Sequence, residues 1–185
     1  VVTLMGIWYF DRQVVDVAVL VVGLGGEFDA TSVVDPVASC VTTVSLEHTH
    51  VLGETIEAIA TTIAKVAPDD TPLVTGATGD ALAAVRAEAG DVVTVGTEAD
   101  PHDNPDVTVS YDGRQTTDAE ISVSMPAATE GLPAVFADGL DLSARLSLLG
   151  THQARNAGIA TTLAGQVVDA LDRLADTSET DADDP

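Results

Sequence analysis

The chain has 185 residues, enough for one sizeable domain, and two would have to be small. Hydrophobic residues make up 45% and aromatics 3%, so a core of Val, Ala, Leu and Ile is expected and wholesale disorder is excluded. Acidic residues number 30 against 7 basic ones, a formal charge of −23, which excludes a nucleic-acid surface or an anionic membrane as partner because both need clustered Lys and Arg.

A charge this large repels itself and opposes compaction. At molar salt the Debye length falls to about 3 Å and most of that repulsion is screened. Lys65 is the single lysine, and Asp, Ala, Val and Thr are abundant, a composition that resembles cytoplasmic proteins of salt-loving archaea. Cys40 stands alone, so no disulfide forms within the chain, and it is expected to pack as a small hydrophobe. No apolar run reaches the roughly 18 residues of a membrane span. The N-terminus has no basic region of the secretory kind, so a cytoplasmic protein is expected. Its first residue is Val, which suggests a start inside a longer reading frame.

Taken in chain order, Thr3 to Gln13 reads as a helix. Asp16 to Val22 (DVAVLVV) is nearly continuous and apolar, as a strand buried on both faces would be. The turn Gly23-Leu24-Gly25-Gly26 follows, then a second such strand, Val37 to Ser45. Glu54 to Val66 is a helix with Ile56, Ile59, Ala60 and Ile63 on one face. Pro72 to Gly76 is a short strand, Thr78 to Gly90 a helix closed by its glycine, and Val92 to Val95 a strand. This alternation indicates βαβ units and a mostly parallel sheet with flanking helices. The pattern changes after Ala99. ADPHDNPD is a loop, and Val107 to Asp112, Glu120 to Met125 and Leu142 to Leu148 read as a small antiparallel β insertion with a turn at Tyr111-Asp112-Gly113-Arg114. Gly150 introduces a long helix to about Leu174. The expected division is an α/β domain over 1–174 and an acidic disordered tail over 175–185.

Three motifs bear on chemistry. Gly23-Leu24-Gly25-Gly26 follows a strand, but a dinucleotide fingerprint needs glycine where Phe28 stands, so taken alone the turn reads as structural; no GxxxxGK[ST] loop occurs. Ser45-Leu46-Glu47-His48-Thr49-His50 lies at the C-terminal end of a parallel strand, where open α/β sheets bind ligands. His48 is a candidate metal ligand or proton shuttle, against the commoner reading of a surface histidine; His50 and His102 read as solvated loop residues. Thr151-His152-Gln153-Ala154-Arg155-Asn156 opens the last helix. Gln153 and Asn156 share a face near its N-terminus, where polar or anionic ligands are favoured, against ordinary capping by Thr151.

Together, VVGLGGEFDATSVVDP at 21–36, SLEHTHVLGETIEAIA at 45–60, PLVTGA at 72–77 and LLGTHQARNAGIA at 148–160 resemble, in order and spacing, folylpolyglutamate synthase/dihydrofolate synthase of the Mur ligase superfamily. The resemblance covers nearly all of residues 1–172 and implies the latter part of the central, ATP-binding domain. It implies a P-loop upstream of Val1 and a glutamate-binding domain beyond Pro185. It implies ATP and Mg2+ as cofactors, a pteroate or folate and glutamate as substrates, and amide formation through an acyl phosphate. By position in the motifs, His48 matches a magnesium-binding histidine, Asn156 a contact to adenine, and Gln153 belongs to the same motif. Gly25, Gly26 and Asp29 match the turn after the metal-binding strand.

Two departures from the family bear on the metal site. Val21 replaces a glutamate that binds magnesium, and valine offers a hard cation no oxygen. Ile63 replaces a lysine that as a carbamate supports a second metal; Lys65, about 200° further round a helix, is expected to face elsewhere. Ser32 also stands where Asn is usual. One reading is therefore part of a folate-type ligase, its 185 residues inactive alone. A second is a degenerate or truncated non-catalytic remnant. A third, an unrelated nucleotide-binding module, requires four motifs in register by coincidence.

Overall fold

The β-branched runs from residue 40 onward pair into one sheet, because each finds a neighbour that completes its ladder. The structure is a computed structural model that describes residues 1–67, 70–97, 100, 104–115, 118–127 and 129–180. Six strands lie in chain order: β1 (Cys40–Val41), β2 (Leu73–Thr75), β3 (Val92–Thr97), β4 (Val107–Gln115), β5 (Asp118–Met125) and β6 (Leu140–Leu146). The pairs from β1 to β4 are parallel and the last two antiparallel, so the expected β insertion continues the same sheet.

Helices cover both faces of the parallel part. The helices α3 (Ile56–Ala64) and α4 (Gly79–Ala89) pack with Val41, Leu73, Leu82 and Val85 on one face. The long α5 (Thr151–Thr180) sets Ala154 and Ile159 against Val74, Val93, Val95, Val107 and Val109 on the other. Leu73 and Val74 are adjacent, fully buried and in opposite cores, the signature of a strand covered on both sides. In β5 only Ala119, Ile121, Val123 and Met125 are buried, so beyond β4 one face is covered. Close approach of α5 depends on Gly158, where a Cβ would stand 2.5 Å from the Val109 side chain.

The N-terminal region departs from expectation. The helix α1 (Val2–Gln13) forms, yet no residue in it is buried. Asp16 to Val22 forms no strand: it has no ladder partner among the described residues, and a strand cannot exist without one. Of the second expected strand only Cys40–Val41 pairs, followed by the one-turn α2 (Thr49–Leu52). Tyr111–Arg114 is a bulge inside β4 rather than a hairpin turn, with Gly113 at φ 89° supplying the kink. The α5 helix continues to Thr180, six residues into the segment read as a disordered tail, and 181–185 lie outside the described residues, as does His102. Cys40 is half-buried against the α5-side core, and burial pushes its thiol pKa up.

Candidate functional site

Parallel strands end together, so the segments after Val41, Thr75 and Thr97 emerge at one edge of the molecule. The Thr75 hydroxyl donates to the Val41 carbonyl at 2.8 Å and accepts from the Ala77 amide at 3.0 Å, closing the turn after β2. At Gly76 a Cβ would lie 2.6 Å from the Thr42 carbonyl oxygen and 2.7 Å from Arg155 Cδ. Only glycine lets the first turns of α5 come down onto the tips of β1 and β2.

Those turns carry Gln153 and Asn156, both half-buried, with exposed His152 before them. Gly150, at φ 118°, takes the capping position assigned to Thr151: its carbonyl accepts the Gln153 and Ala154 amides at 2.9 and 3.3 Å. Arg155 lies between the two carboxamide residues and reaches Asp100, whose carboxylate also takes the Thr97 amide. The sequence analysis singled out neither Arg155 nor Asp100. Their pairing spans 55 residues, and no local pattern encodes it.

His48 stands beyond β1 at the start of α2. Its side chain is exposed and its backbone is left-handed at φ 51°, an uncommon conformation for a residue with a Cβ. The His48 carbonyl accepts the Val51 and Leu52 amides at 2.9 and 3.0 Å, which holds that conformation. His50 is exposed as well.

The glycine turn is fastened to the C-terminal end of α3. The Gly26 amide donates to the Thr62 carbonyl at 3.3 Å, and a Cβ on Gly26 would stand 2.3 Å from the Val66 nitrogen. Gly25 sits at φ 66° under Leu52 and Thr62. Asp29 closes the loop, accepting the Gly23 amide at 3.0 Å and the Thr31 amide and hydroxyl at 2.9 and 2.8 Å. The Thr31 amide and hydroxyl and the Gly23 amide hold the Asp29 carboxyl below its ordinary pKa. Lys65 pairs with Glu27 in the same turn, while Ile63 packs on the core beside Ala60 and Ala64. The two side chains thus diverge, as their angular separation on a helix requires.

A magnesium centre does not fit these residues. Val21 is 87% exposed and offers no donor. Among the described residues no group of three or more His, Cys, Asp or Glu side chains is placed to hold a metal, and His48 belongs to no such group.

The open, mostly parallel sheet, with turns gathered at its strand tips, has the Mur ligase fold. No family model matches the chain. It is 56% identical over 175 residues to the probable bifunctional folylpolyglutamate synthase/dihydropteroate synthase of Haloferax volcanii, covering 94% of this chain and 19% of that protein. A protein of the same description from Halobacterium salinarum is 54% identical over 167 residues, again 19% of its length. The apo form of L. casei folylpolyglutamate synthase superposes with a TM-score of 0.72 at 30% identity, covering 91% of this chain and 38% of that one. In sequence and fold the chain corresponds to one segment of the folylpolyglutamate synthases, spanning about a fifth of its haloarchaeal relatives.

Proposed function

We propose that the chain supplies the adenine-facing part of the central domain of an ATP-dependent ligase that adds glutamate to a pteroate or folate. In the whole protein, a substrate carboxylate would take the γ-phosphoryl group of ATP, releasing ADP. The glutamate amine would then attack the acyl carbon and expel phosphate, forming the amide. One observation carries the proposal: half-buried Gln153 and Asn156 stand on the first turns of α5 where it meets the tips of parallel strands. A carboxamide both donates and accepts, which suits an adenine edge carrying an amino group beside ring nitrogens. A solved complex of folylpolyglutamate synthase with AMPPCP and folate, at a TM-score of 0.69 to this chain, supports nucleotide and folate as the ligand classes. Work on substrates of this kind fits a cytoplasmic protein, and among the described residues no helix is long and apolar enough to cross a membrane.

The metal half of the family chemistry has little support in this chain, where His48 offers one ligand and Val21 none. That observation favours a second reading, a remnant that keeps the scaffold and turns nothing over. Titration of the 15N-labelled chain with ATP in molar KCl separates the ligand claim from its absence. The expected result is a shift of the Gln153 and Asn156 side-chain amides, lost in Asn156→Ala; no shift at saturating ATP would refute the proposal. Glutamate-dependent ADP release is expected to be absent from the 185 residues alone, and its appearance would eliminate the remnant reading.

A further inference from the structure

Arg155 and Asp100 come from the start of α5 and the segment just past β3. Arg155 Nη2 donates to Asp100 Oδ2 at 2.6 Å, with the two side chains 18% and 23% exposed. The same carboxylate oxygen accepts the Thr97 amide at 2.8 Å and its hydroxyl at 3.1 Å, and the Asp100 amide donates to the Thr97 carbonyl at 2.9 Å. Asp100 is therefore fixed to the last residue of β3 independently of the arginine. The Arg155 stem lies against Gly76 at the tip of β2, and its Nε is buried with no partner among the described residues. An arginine held by packing along its stem and by a charge-assisted bond at its head has little of the freedom that makes surface ion pairs weak.

We infer that Arg155 and Asp100 form the positioning pair of this site: the bond ties the first turns of α5 to the end of β3 and thereby sets where the Gln153 and Asn156 carboxamides stand. Neither partner needs to touch the nucleotide. The ligand in this inference rests on the proposed function, whereas the tie does not. Further along, α5 is held by other means, with Ile159 and Gly158 packed on Val95 and Val109, so loss of the pair acts locally.

The test compares Arg155→Met, which keeps a stem over Gly76, with Arg155→Lys and Asp100→Asn, all as the full chain in molar KCl. Amide hydrogen exchange is read at 153–157 and at 159–170, and ATP and GTP affinities are measured by NMR titration. In Arg155→Met and Asp100→Asn, protection at 153–157 is expected to fall about tenfold, with ATP affinity falling similarly and the preference over GTP narrowing. Protection at 159–170 stays unchanged, and Arg155→Lys recovers part of both losses. Unchanged protection, or an equal loss along the whole helix, would overturn the inference. If the unmodified chain binds no ATP, the proposed function fails, and the exchange pattern by itself still decides for or against the tie.

Discussion

Residues 1–37 are richer in apolar residues than residues 38–180, yet the larger region is the one that packs. In the larger region, Leu73, Val74, Val93, Val107 and Val109 are fully buried. In the smaller one, Trp8 is 60% exposed, and Val15, Val17, Val19 and Val21 are exposed in a run where only Leu20 and Val22 are half-buried. The sequence is that of a strand, but no ladder among the described residues completes it. Val14 adds a left-handed backbone at φ 53°, a conformation that β-branched residues avoid. A fixed cation–π contact of Arg12 over Trp8, at 5.3 Å, adds little order here. The contrast teaches that apolar sequence specifies a tendency to be covered, while the neighbours available decide whether covering happens.

The broadest way to test this contrast is salt. With a charge of −23, the packed region is expected to lose cooperative unfolding in dilute buffer and regain it in molar KCl, followed by circular dichroism; a melting temperature independent of KCl would contradict the electrostatic account. Next comes a pair of truncations. Leu73→Ala should cost about 2–5 kcal/mol in urea unfolding, since Leu73 is fully buried between the sheet and the α3–α4 layer, whereas Val19→Ala should leave the midpoint unmoved. Equal effects would erase the distinction between the regions. A third substitution addresses the exposed valines: Val19→Asp with Val21→Asp should reduce self-association in light scattering without lowering the melting temperature.

Acid gives the smallest effect and one shared by both regions. Burial raises the Asp100 carboxyl pKa, but the Thr97 amide, Arg155 and the Thr97 hydroxyl outweigh it and hold the value below the ordinary one, as hydrogen bonds do for Asp29. A folded-state pKa below the unfolded one stabilises the fold above about pH 4, and that contribution is lost as pH falls through the folded value. NMR shifts of the Thr97 and Gly23 amides should therefore move only below that pH, and Asp29→Asn should abolish the Gly23 response alone.

Legibility followed the range of the interaction. Helices α3, α4 and α5 were readable because apolar spacing and terminal glycines act within a few residues; Gly90 closes α4 as its position suggested. The motif residues at 48, 153 and 156 were singled out by resemblance; His48 stands at the start of α2, and Gln153 and Asn156 stand on the first turns of α5. The Tyr111–Arg114 turn was misread because a glycine at positive φ serves a bulge as well as a hairpin, and the difference lies in the partner strand. The continuation of α5 past Leu174 was missed because the acidic composition there resembles a solvated tail, while a formed helix propagates at little cost per residue.

The sequence by itself determined the α/β class, a mostly parallel sheet and the glycines that mark turns and helix ends, because hydrophobic period and backbone sterics are local properties. Only the tertiary structure decided that DVAVLVV forms no strand, that Cys40–Val41 is all that pairs of its run, and that Arg155 meets Asp100. Ladders and ion pairs join residues far apart in the chain, so their existence depends on which surfaces the rest of the fold brings within a few ångströms.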